Sequence, residues 1–351
     1  MPPVTTFAKL NKANPHLRWT RSQLAEKIIA QAGESTAPIL IGGMTGMGKS
    51  ELTLGQLPKS AEAKQVPFVR VNLMILNGSW SEVESEITRE IERTQAPLAE
   101  NSRGIVVMEE PEEIIDNNIQ AIIQQCRQRD WTPVFTLQSQ HLFPGSLDRT
   151  ISRYNGSNDR LYFLGPRQGQ EVYPFIEKWF SPEGKSLFSS VYRNTQRGIF
   201  KKLSLAEVMD KRQRLLVLLR SREILDQILE LTGGITILLS GVLDELWDEN
   251  ITISGQEIEA GRFAVFGDDL PVTTTIGHWL GPGLPGIFQL IRGKGWFTEG
   301  SPLPEAEYQA LLEPEQGAIE AAFKFGFLEV REGGLVIRPK AVRGYLTSDG
   351  Y

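Results

Sequence analysis

The chain has 351 residues, of which 40% are hydrophobic and 23% charged, which is the profile of an ordinary globular sequence. At roughly 100–200 residues per domain it has room for two or three domains, and disorder, collagen and fibrous repeats are excluded as descriptions of the whole. Lys and Arg number 37 against 43 Asp and Glu, and the net charge of −6 excludes a polycation that coats nucleic acid, leaving only a local basic patch open.

The first residues, Met1 to Pro15, hold no apolar core of signal-peptide length, and no later run approaches the ~18 apolar residues that span a bilayer. The single cysteine, Cys126, forbids an intrachain disulfide and suits a reducing compartment. The expectation is a cytoplasmic protein with no membrane partner. The segment Asn14 to Arg21 leads into a helix that carries Leu24, Ile28 and Ile29 on one face.

The sharpest signal follows. Ala37 to Ile41 is a short apolar run of the kind that forms a buried parallel strand. Gly43, Met44, Thr45, Gly46, Met47, Gly48, Lys49 and Ser50 then satisfy G-x-x-x-x-G-K-S/T at every position, and Glu51, Leu52, Leu54 and Leu57 suit a helix start. Glycines let the main chain wrap closely round phosphate oxygens, and the helix that follows turns its positive dipole end toward the anion. In such a loop Lys49 reaches the β- and γ-phosphates, Ser50 offers its hydroxyl to Mg²⁺, and residues 43–51 as a whole contact the nucleotide.

Val66 to Asn72 reads as a second strand. In Gly104 to Glu110, four apolar residues run into two carboxylates, Glu109 and Glu110. A buried strand ending in acids delivers them to the carboxyl edge of a parallel sheet, where the phosphate loop also lies. Glu109 is then the candidate magnesium residue, through the ion's water shell, and Glu110 the candidate base that orients the attacking water. A plain acidic helix start is the structural alternative, because Glu112, Glu113 and Asp116 come next. Beyond Pro111, the residues Ile114, Ile115, Ile119, Ile122, Ile123 and Cys126 share one helical face, which makes Cys126 a small core residue. Pro133 to Gln138 reads as the fourth strand and Leu161 to Leu164 as the fifth. Strands alternating with helical patterns give an α/β fold with a parallel sheet.

After Arg167 the pattern is helical: Gln170 to Phe180, Lys211 to Leu231 closing on Thr232, Gly233 and Gly234, and Ile235 to Trp247. A boundary falls within 251–270. Gln316 to Phe325 reads as a helix, and the runs Gly326 to Arg331 and Leu335 to Arg338 flank a Glu332-Gly333-Gly334 turn as a hairpin. Helices followed by a hairpin look like a winged helix. Its arginines and lysine (Arg331, Arg338, Lys340, Arg343) point to DNA, whereas the acids Glu313, Glu315, Glu320, Glu329 and Glu332 oppose it, so a protein-facing role is favoured.

This order of features resembles the AAA+/STAND group of P-loop ATPases, archaeal ATPases included, over about residues 15 to 250. The resemblance implies a P-loop NTPase core at 1–166, a helical lid at 167–252 and a winged-helix-like domain at 253–351. It implies ATP and Mg²⁺ as cofactors, ADP as the second nucleotide state, and a homo-oligomer or protein partner. It makes Glu109–Glu110 similar to a Walker B acidic pair, with Glu109 in place of the usual Asp. Gln138 and Ser139 become γ-phosphate sensor candidates, and Arg149, Arg153 and Arg160 candidates for a contact in trans. Leu17 or Trp19 would pack on the base. Two positions depart from the group: Thr236 stands where a proline is usual after the TGG segment, and Gln140 where an arginine is usual. No LSGGQ signature precedes the acidic strand, which sets ABC transporters aside, and no N-K-x-D motif selects guanine. The expected function is a slow ATPase acting as a conformational switch or assembly ATPase. The alternatives are a nucleotide-bound scaffold that does not hydrolyse, and a DNA-binding regulator.

Overall fold

The computed structural model describes residues 6–43, 47–71, 80–95, 103–109, 118–138, 147–179, 213, 216–217, 219–248, 295–297 and 301–339. The described chain divides into two compact units. One comprises Met1–Gly165 with Thr275–Val336, and the other Pro166–Thr274 with Ile337–Tyr351.

The first unit is built on five parallel strands: β1 (Ile39–Gly43), β2 (Phe68–Val71), β3 (Gly104–Glu109), β4 (Trp131–Gln138) and β5 (Leu161–Phe163). Their order across the sheet is β2-β3-β4-β1-β5, and every pairing is parallel. Both faces are covered, so the strands are continuous apolar runs rather than alternating ones. Ile39, Leu40 and Ile41, Ile105 to Met108, and Val134, Phe135 and Leu137 have no exposed surface. The expectation of an α/β parallel sheet is met, with strand ends displaced by up to two residues.

The helices, which include α1 (Phe7–Ala13) at the start and α5 (Trp80–Gln95) after β2, follow local signals. In α2 (Arg21–Glu34), Thr20 accepts from the Gln23 amide and Gln23 accepts from the Thr20 amide, a reciprocal cap that fixes where the helix starts. In α6 (Ile119–Gln128), the buried face holds Ile119, Ile122, Ile123 and Cys126, and each isoleucine contributes about 1.5–3 kcal/mol by leaving water. Residues 110–117, including Ile114 and Ile115, lie outside the described residues. The helix after the phosphate loop is not uniform: α3 (Lys49–Glu51) passes into a π turn (Leu52–Gln56) and then α4 (Leu57–Ala63).

The same unit includes the helices Glu305–Ala310 and Glu313–Lys324. The ring of Phe7 lies 5.3 Å from that of Tyr308, and Phe163 lies 5.7 Å from Phe325, edge to face. A hairpin of β6 (Leu328–Arg331) and β7 (Gly334–Ile337) forms at the expected Gly-rich turn.

The second unit holds α8 (Gly169–Trp179) and the helices Arg222–Thr232 and Thr236–Asp248. Val172, Phe175 and Ile176 pack with Ile224, Ile228, Leu239 and Val242 in one apolar cluster. The pattern from Lys211 to Leu231 predicts one helix, but the chain turns at Leu219 and Arg220 and restarts at Arg222. Leu219 is fully buried and Ser221 takes the extended backbone of a helix cap, so tertiary packing overrides a strong local propensity. Gly233 closes the first of these helices in the left-handed region at φ 61°. Gly234 follows at φ 73° and accepts a hydrogen bond from the Arg167 amide at 2.8 Å. A Cβ on Gly234 would stand 2.4 Å from the Arg167 carbonyl oxygen, so only glycine fits there.

Candidate functional site: a phosphate loop beside an acidic strand end

The site begins where β1 ends. Gly43 is the last residue of that strand, and the chain re-enters the described region at Met47, Gly48 and Lys49; Met44, Thr45 and Gly46 lie outside it. Gly48 adopts φ 93°, ψ 30°, the left-handed conformation that a residue with a Cβ takes at a cost, and it turns the chain directly into α3. The first backbone N–H groups of a helix lack intrahelical acceptors and are suited to an anion.

Lys49 is buried at 7% exposure although it carries an ammonium. Its Nζ donates to the carbonyl oxygen of Gly43 at 2.9 Å, so the side chain folds back across the loop to its opening residue. A buried cation of this kind is stabilised by acceptors and by any anion placed before it. Ser50 is exposed and Glu51 half-buried in the first helical turn.

The sheet register sets the remaining candidates. Gly43 pairs with Gln138, and Ile41 pairs with Thr136, which in turn pairs with Glu109. Residues two apart share a face, so Gly43, Gln138, Thr136 and Glu109 line the same side of the sheet. Interposing β4 between β1 and β3 puts Gln138 at the strand end between the phosphate loop and the acidic strand. Glu110, Ser139, Gln140 and His141 lie outside the described residues.

Glu109 closes β3 with its side chain 15% exposed. Its Oε2 accepts from Arg70 of β2 at 2.5 Å, and its Oε1 accepts from the Thr53 hydroxyl of the π turn. Thr53 has no exposed surface, and its Oγ1 also lies 3.2 Å from the Ser50 carbonyl oxygen. The acidic strand end is thereby tied to the helix of the phosphate loop.

Two participants escape a linear reading. Arg21, 2% exposed, donates to the carbonyl oxygens of Met47 and Gly165, and its partners stand 26 and 144 positions away. Arg70 shows only as a polar interruption of an apolar strand. That interruption was the available signal, because a charge inside a strand calls for a counter-charge nearby.

Other candidates take plainer positions. Leu17 is buried, and Trp19 is half-buried with its ring 6.2 Å from that of Tyr162. Arg160 is buried and donates to the carbonyls of Gln31 and Ser35 at the end of α2, which is a structural task. Arg149 and Arg153 belong to α7 (Leu147–Arg153), Arg149 exposed and Arg153 half-buried. Thr236 is buried at a helix start. Cys126 has no exposed surface, and burial pushes its thiol up to about 12, which makes it an unreactive core residue. In the hairpin, Arg331 pairs with Glu329 at 2.5 Å, and Arg338 is half-buried.

The donor set fits magnesium. A serine hydroxyl at a helix start and a carboxylate at a strand end are hard oxygen donors, and Mg²⁺ usually takes one or two protein oxygens while phosphates and waters supply the rest. Among the described residues no group of three or more His, Cys, Asp and Glu could hold a metal ion by protein ligands alone. Among the described residues, too, no helix is long and apolar enough to cross a membrane.

No protein-family model matches the sequence, and no curated protein matches it. Solved structures do. The Walker-type ATPase PABY2304 of Pyrococcus abyssi is 13% identical over 93% of this chain and 95% of its own, with a TM-score of 0.39. Cdc6p from Pyrobaculum aerophilum is 12% identical over 93% of each chain, with a TM-score of 0.38. The Drosophila ORC bound to DNA is 12% identical over 89% of each chain, with a TM-score of 0.36.

Proposed function

We propose that this chain is an ATP-binding and ATP-hydrolysing P-loop NTPase of AAA+/STAND type, working as a nucleotide-driven switch or assembly ATPase. The observation that carries the reading is the loop itself. A complete G-x-x-x-x-G-K-S sequence follows an interior parallel strand, turns through left-handed Gly48 into a helix, and folds the buried ammonium of Lys49 back to Gly43. A chain that only needed to join strand to helix has no reason to bury a lysine there.

The loop amides and Lys49 bind the β- and γ-phosphates. The Ser50 hydroxyl and Glu109 would hold Mg²⁺, which when bound shields phosphate charge and orients the triphosphate. Gln138, which shares a rung with Gly43, would report the γ-phosphate. Glu110, next in the chain to Glu109, is the proposed base for the attacking water. Residues 167–252 act as a lid and 253–351 as a winged-helix-like domain that faces protein, either a partner or a second copy; DNA contact is the less favoured role. Switching requires ATP and ADP to contact the two states differently, not merely tightly. The proposed location is the cytoplasm.

A second reading, a nucleotide-bound scaffold that does not hydrolyse, draws on one observation: both oxygens of Glu109 are already engaged, by Arg70 and Thr53. One experiment separates the two. Titration with a fluorescent ATP analogue shows saturable binding that Lys49→Ala abolishes, and phosphate release is measured beside it. Turnover that Glu110→Gln removes while binding persists supports the ATPase; binding without any turnover supports the scaffold. Affinity unaffected by Lys49→Ala overturns both.

A further inference from the structure

We propose that Arg70 is a positioning residue that sets the magnesium requirement of the site by competing with the cation for the carboxylate of Glu109. The inference rests on the nucleotide-binding reading above. Glu109 has two oxygens, and each has a donor: the Arg70 guanidinium at 2.5 Å on Oε2 and the Thr53 hydroxyl on Oε1. A carboxylate neutralised by a guanidinium offers a divalent cation little charge.

The geometry makes the hold releasable. Arg70 pairs in register with Val107, two residues before Glu109, so both side chains lie on one face of the sheet. β2 is the outer neighbour of β3, whereas β1 and its phosphate loop lie across β4 on the other side. Arg70 therefore reaches Glu109 from the side away from the loop. A cation held at Ser50 would compete with Arg70 for the Glu109 carboxylate from the side of the loop.

The contact is also made through a single nitrogen. Arg70 binds by one terminal nitrogen, and its buried Nε has no hydrogen-bond acceptor among the described residues. A two-pronged Arg–carboxylate pair is the tighter geometry, and this one falls short of it. The residue that gives up Glu109 when magnesium arrives is then Arg70, while Thr53 keeps the carboxylate next to the phosphate-loop helix.

The test reads binding rather than turnover. Affinity for a fluorescent ATP analogue is measured across a magnesium series that begins in EDTA, for the unsubstituted protein and for Arg70→Gln. The half-saturating magnesium concentration is expected to fall about fivefold in the variant, relative to its own affinity in EDTA. That ratio separates the effect from a general loosening, which weakens both. Should Arg70→Gln fail to fold, Arg70→Met, which keeps the apolar stem and also removes the guanidinium, is expected to lower the midpoint by a similar factor. An unchanged or raised midpoint overturns the proposal and leaves nucleotide binding intact as a reading. Absence of nucleotide binding in the unsubstituted protein overturns that reading, and this inference with it.

Discussion

The guanidinium of Arg21 donates to the main-chain carbonyl of Met47 at 2.9 Å, so the first residue of α2 braces the phosphate loop from behind. The same group reaches Gly165, which closes the earlier of the first unit's two chain segments, at 2.8 Å. Replacing it by methionine keeps much of the stem and removes both bonds. Hydrogen bonds to charged groups are worth about 1.5–3 kcal/mol each, so Arg21→Met is expected to lower unfolding free energy by about 3–6 kcal/mol. Urea unfolding measures that loss. Nucleotide affinity is expected to drop as well, because the loop backbone loses an anchor; a variant that unfolds earlier yet binds as tightly would show that the brace serves the fold alone.

Gly48 carries the sharpest conformational demand of the loop at φ 93°. Gly48→Ala is expected to cost about 1–2 kcal/mol in backbone strain and to weaken nucleotide binding about tenfold. Gly55, in the π turn, has open space around the position of a Cβ. Gly55→Ala is therefore expected to leave stability unchanged or to raise it by about 0.5 kcal/mol. Equal effects at the two glycines, in thermal unfolding and in analogue binding, would refute the distinction.

Cys126 gives a stability dependence with a definite sign. Burial holds its thiol protonated up to about 12, whereas an unfolded cysteine ionises near ~8.5. Between those values the unfolded chain binds fewer protons, so this contribution is complete below about pH 8.5 and is lost as pH rises toward 12. Urea unfolding at neutral and at alkaline pH should show a steeper loss in the unsubstituted protein than in Cys126→Ala, although the variant starts lower at neutral pH. A thiol reagent is expected to modify the native protein only as it unfolds, and prompt labelling of the folded chain counts against the core assignment.

At the turn between the helices Arg222–Thr232 and Thr236–Asp248, Gly234→Ala places a methyl 2.4 Å from the Arg167 carbonyl at φ 73°. The clash is with backbone, which cannot swing aside. Hydrogen exchange in the helix Arg222–Thr232 is expected to accelerate by about tenfold or more, reporting a local loss of more than about 1.4 kcal/mol. Unaltered protection there would mean that the turn repacks freely.

The parts legible in the sequence are those where chemistry dictates residue type at fixed spacing. The loop from Gly43 to Ser50 needs glycine and lysine at set positions, and the apolar run into Glu109 needs no partner to be recognised. The parts that escaped depend on neighbours far along the chain. Arg21 reads as an ordinary helix residue until Met47 and Gly165 arrive beside it. The Arg70–Glu109 pair follows from the register of two strands, which hydrophobic pattern alone does not fix. The break before Arg222 escaped because helix propensity there is high and only the burial of Leu219 competes with it.

The five residues from Leu52 to Gln56 close with the Leu57 amide reaching back to the Leu52 carbonyl, one step farther than an ordinary helical turn. Such a turn accommodates one surplus residue while the helix on either side keeps its facing, the loop at one end and Leu57 and Ala61 in the core at the other. A chain one residue shorter there would still join the same two ends, but Thr53 would rotate off Glu109. The tether between strand and loop is thus written as an insertion: a deletion scan of this segment, rather than substitution alone, is the way to remove it while sparing the rest.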